Sequence, residues 1–83
     1  MKNTEEIRTS KSNNKTAEYV ELAKFYMNDS QDTADTTGQH IVVKIAEEIR
    51  NYAKKAMSAD CEYAAYVNCN AAEVWYLKIE EQF

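Results

Sequence analysis

His40, Cys61 and Cys69 are the side chains with which this chain could attempt nucleophilic or metal chemistry. A general base needs a nucleophile to serve and a third group to orient it. Cys61 or Cys69 with Asp35 would complete such a set on paper. These residues fall in unrelated segments with no local signature, so catalysis is not expected. The same histidine and cysteines fall one short of the four ligands structural zinc takes. The eight-residue step from Cys61 to Cys69 is not a paired-ligand spacing either. On a helix that step is a rise of about 12 Å, whereas a disulfide needs Cα atoms within about 7 Å. The two are therefore expected as free thiols, read as small buried apolar residues in a reducing compartment.

Asp29, Asp32 and Asp35 recur every third residue. A calcium loop alternates its acids every second residue, carries a central glycine and closes on a glutamate about twelve along. Gly38 is misplaced for that and no glutamate closes the run. The aspartates are expected either as a solvated turn or as an acidic patch for a basic partner. Neither metal nor cofactor is expected.

These residues are carried by few elements. The chain has 83 residues, no proline and one glycine, so it encodes one thin-cored domain with few tight turns. Residues 1–15 hold no periodic apolar set and read as a flexible basic tail. Residues 16–28 read as a helix capped by Thr16, with Tyr19, Leu22, Ala23, Tyr26 and Met27 at helical spacing and Phe25 off that stripe. Residues 29–37 read as a polar linker, because Asp, Ser and Thr side chains compete for backbone hydrogen bonds. Thr36 and Gln39 match a capping box for a second helix over about 38–57. Its stripe of Val42, Ile45, Ile49, Tyr52 and Ala56, widened by Ile41, Ala46 and Ala53, opposes a charged side and is expected to be core.

The last third, 60–83, reads as a helix capped by Asp60 and apolar on two faces. Cys61, Ala65, Cys69, Ala72, Tyr76, Ile79 and Phe83 line one face, and Tyr63, Tyr66, Val67, Val74 and Leu77 line the other. Such a helix is central in its bundle or buried in an interface. The competing reading is a hairpin, with strands at 63–67 and 74–79 turning at 68–70. Against it stand four alanines and the capping-box match of Asn70 with Glu73. The fold expected is an all-α three-helix bundle over 16–83; the alternative is α+β, two helices and a C-terminal hairpin.

Charge and aromatics bear on function. Residues 1–15 carry four bases against two acids, and the rest carries twelve acids against six bases. A body of net −6 repels phosphate, so direct nucleic-acid binding is not expected. The apolar runs are too short to span a bilayer or to form a secretory signal, which leads to an expectation of the cell interior, cytoplasmic. Nine aromatics are more than so small a domain hides, and Tyr and Trp suit interfaces. The expected function is a small acidic binding protein, not an enzyme, that inhibits or antagonises a larger protein. It would resemble, by type rather than by motif, phage or mobile-element counter-defence proteins, antitoxins and immunity proteins. The expected partner is a protein with a basic surface, one that handles nucleic acid among them. Tyr63, Tyr66, Val67, Val74 and Leu77 are the candidate contact face, with Asp29, Asp32, Asp35, Glu47 and Glu48 as acidic contacts. The alternative is a structural or adaptor subunit that forms a homodimer through its last helix.

Overall fold

A computed structural model describes residues 14–82. The expectation of a flexible tail over 1–15 falls, all but its last two residues, outside them. Three helices pack on one another: α1 is Thr16–Thr37, α2 is His40–Met57 and α3 is Glu62–Glu80. There is no strand among the described residues, and both segments of the alternative hairpin lie inside α3. The fold is the three-helix bundle. Asn70 and Glu73 sit mid-helix and cap nothing.

The polar linker expected at 29–37 is instead the last two and a half turns of α1. The hydroxyls that were expected to break the helix bond back into it: Ser30 Oγ donates to the Met27 carbonyl and Thr33 Oγ1 to the Asp29 carbonyl. Gln31 Nε2 donates to Asp35 Oδ1 one turn on. Ser30 and Ala34 are buried and extend the stripe of Ala23 and Tyr26, so tertiary packing overrides weak local propensity. The helix stops at Gly38, whose φ of 67° is a left-handed cap conformation, with its N–H donating to the Ala34 carbonyl.

The caps also differ from expectation. Thr16 is the first helical residue, and Asn14 Oδ1 accepts its N–H. Thr36 lies in α1, and Gln39 precedes α2 without a side-chain cap. Cys61 rather than Asp60 caps α3, its Sγ accepting from the Ala64 N–H at 3.4 Å. Both cysteines are free thiols, but only Cys69 is buried; Cys61 is exposed.

α1 and α3 run parallel, in a constant register. The Lys15 N–H donates to Glu62, Tyr19 packs on Tyr66, and Tyr76 donates to Asp29, each pair 47 residues apart. α2 packs against both, and Arg50 Nη1 donates to Gln31 Oε1 of α1. The core is built from Val42, Ile45 and Ile49 of α2, with Tyr26 and Ile79, and from alanines at 23, 34, 46, 53, 56, 65 and 72. Seven of its thirteen apolar members are alanines, which lets the helix backbones approach closely. Ile41 is not part of it and is half exposed. No helix among the described residues is long and apolar enough to cross a membrane.

Candidate protein-binding face

α3 buries Ala65, Cys69, Ala72 and Ile79 against its two neighbours. At 100° per residue, the opposite side of the helix carries Tyr63, Val67, Asn70, Val74 and Leu77. Their spacing is four, three, four, three, the spacing of a helical packing seam. All five are exposed, Tyr63 at 74%. Tyr66 lies beside the seam on the α1 side, its ring 5.3 Å from that of Tyr19. The five apolar residues expected as a contact face therefore do share one exposed face.

α1 adds two residues that sequence reasoning did not include. Leu22 and Phe25 are exposed at 42% and 52%, in a depression shared with Ala17, Glu18 and Glu21. Phe25 packs at 6.1 Å on Tyr76 of α3, so it lies at the α1–α3 edge. Its place off the main stripe of α1 was the available signal. A second depression is lined by Tyr19, Glu62, Tyr63 and Tyr66.

The acidic candidates do not gather at this face. Asp29 is half-buried and accepts the Tyr76 hydroxyl at 2.5 Å, which makes it a structural partner. Asp32 and Asp35 are exposed along the last turns of α1, and Asp35 is bonded by Gln31. Glu47 and Glu48 line a separate groove between α2 and α3, with His40, Ile41, Lys44, Ile45 and Trp75. His40, exposed at the start of α2, is thus near Trp75, roughly 21 Å of helical rise along α3 from Cys61. No cluster of three or more His, Cys, Asp or Glu side chains able to hold a metal occurs among the described residues.

Charge is divided by helix. α1 carries five acids and one base, α3 three acids and one base, and α2 two acids and four bases. The apolar face therefore belongs to a layer of net −6, while α2 is net positive. Both bases of that layer are engaged. Lys24 pairs with Glu21 at 3.5 Å, and Lys78 sits 5.9 Å over the Trp75 ring, within cation–π range.

The contact between α1 and α3 holds two phenols in their neutral form. Tyr76 is pushed up to about 12, first by its hydrogen bond to Asp29, then by burial and nearby acids. Tyr26 is raised too, by burial first and then by Glu73, Cys69 and Glu80; burial and Glu73 likewise raise the Cys69 thiol. A group whose folded pKa lies above its unfolded value stabilises the fold fully below the unfolded value, here 10.0, and less as pH rises through the folded one. Stability should accordingly decline between pH 10 and about 12. In Tyr76→Phe that decline should be shallower, and the latest step of the tyrosine absorbance titration should vanish. An alkaline decline of unchanged steepness would show that the Tyr76–Asp29 bond does not form.

No protein-family model, curated protein or solved structure matches the chain.

Proposed function

We propose that the protein is a non-catalytic binding protein, which docks its outer α3 face, with Leu22 and Phe25, onto a larger protein and thereby inhibits or antagonises it. The observation that supports this is the second apolar face of α3. A helix packed in a bundle normally turns polar residues outward. Here α3 turns out two tyrosines, two valines and a leucine, while among the described residues the two other helices both pack on its opposite side. A contiguous apolar surface rimmed by polar groups is characteristic of protein-binding sites.

The acidic layer around the face favours a partner with a basic surface and disfavours phosphate backbones and anionic membranes. Proteins that handle nucleic acid present such surfaces, which suits an antagonist working in the cell interior. The self-associating subunit remains the second reading. Against it, two copies would bring layers of net −6 together.

A photo-crosslinking amino acid at position 63, compared with one at Lys54 on the outer side of α2, tests the reading in cells. Position 63 should capture a partner and position 54 should not, and Val74→Glu should remove the capture while circular dichroism stays native. Equal capture from both positions, or capture that survives Val74→Glu, would assign binding elsewhere.

A further inference from the structure

We infer that the outer face of α3 receives a single basic amphipathic helix of its partner, packed in heptad register along the seam from Tyr63 to Leu77. The inference rests on the reading of this face as a protein-binding surface and adds the chemistry of what binds.

Three features carry it. The first is spacing. Tyr63, Val67, Asn70, Val74 and Leu77 keep the four-three alternation over about 21 Å, the rhythm with which one helix packs along another at a shallow crossing angle. An extended segment would instead need a sheet edge for its backbone hydrogen bonds, and the described residues contain no strand. The second is Asn70, exposed in the middle of the seam. A polar residue in such a seam fixes register, because burying it opposite an apolar side chain leaves its amide unpaired. The partner helix should place a polar residue at that layer.

The third is charge. The positions flanking the seam on the α1 side are Tyr66, Glu73 and Glu80. Glu18 and Glu21 stand beside Leu22 and Phe25, and Glu62 beside Tyr63. Lys24 and Lys78 are held by Glu21 and Trp75. Flanking charges choose the partner of a packed helix. On the α2 side the flanking positions are Ala64, Ala71 and Lys78, so the acids gather on the α1 side. There they select lysines and arginines, and a second copy of this chain would meet them with the same net negative layer.

The test titrates the full chain with two capped peptides of about three heptads. Both carry Val and Leu on the seam and one Asn. One has Lys at every flanking position and the other Glu. The Lys peptide should bind about tenfold or more tightly than the Glu peptide at low salt, with the gap closing as salt rises. The triple variant Glu18→Lys, Glu21→Lys, Glu80→Lys, all at exposed positions, should reverse the preference. Equal affinities, a preference that the charge reversals leave unmoved, or no binding of either peptide would overturn the inference. So would a protein that sediments alone as a dimer and is split by Val74→Glu, since the occupant would then be a second copy. Val74→Glu separates the two readings. If it abolishes equal binding of both peptides, the face stands and the basic helix falls. If it leaves peptide binding intact, the face falls as well.

Discussion

Ile49→Ala should cost about 2–5 kcal/mol of stability, the range for removing most of a fully buried aliphatic side chain. Ile49 is completely inaccessible and is the largest side chain that is. It sits on α2, which packs against both other helices, so its loss opens a void that neither neighbour can close alone. Its neighbours one turn either way, Ala46 and Ala53, are too short to fill it. In a domain of this size each kcal/mol moves the melting temperature by about 4–8 °C. The variant should thus melt at least about 8 °C below the parent, and a marginal parent would unfold outright. Ile41→Ala, at a half-exposed position on the same helix, is the control and should cost less than about 1 kcal/mol. If both variants melt with the parent, the stripe of α2 does not face the core.

Ala72→Leu should destabilise by about 1–3 kcal/mol through the opposite fault. Ala72 is fully buried on α3, in an interior where alanines also occupy 23, 34, 46, 53, 56 and 65. Helices that touch through methyl groups lie close together. A leucine there adds three carbons at a position with no exposed surface, which strains side chains or pushes the backbones apart. The same change at exposed Ala17 should stay within about 0.5 kcal/mol. Urea titration of the two variants measures the difference; equal midpoints would mean that the interior at Ala72 is looser than its packing indicates.

How much of this was readable from the chain depends on whether the deciding interaction is local. The stripe on α2 is legible because Val42, Ile45 and Ile49 repeat at the helical period. The two faces of α3 are legible for the same reason. The second half of α1 was not. Residues 29–37 have poor helix formers, and what holds them is burial of Ser30 and Ala34, both too small to register as core on a hydrophobicity pattern. The sequence pattern puts Gly38 at the start of α2, although its left-handed backbone ends α1. The cap by Cys61 rests on a weak sulfur acceptor that no cap preference favours over Asp60. Asp29 reads with the acidic run because its partner, Tyr76, lies 47 residues away and no spacing rule links them. Phe25 stood off its helix's stripe, which marked it as exposed without saying that it would meet the edge of α3.

The alanine-rich interior has a calorimetric consequence. The heat-capacity change of unfolding follows the apolar area released to water, and polar exposure lowers it. An alanine releases only a methyl group where a leucine releases four carbons. Seven of the thirteen buried apolar positions make that small release. The increment per residue should thus fall below the usual value of about 12–15 cal/mol/K, and the curve of stability against temperature should be broad and shallow. Such a protein stays modestly stable across a wide temperature span, with its cold-denaturation limit displaced well below freezing.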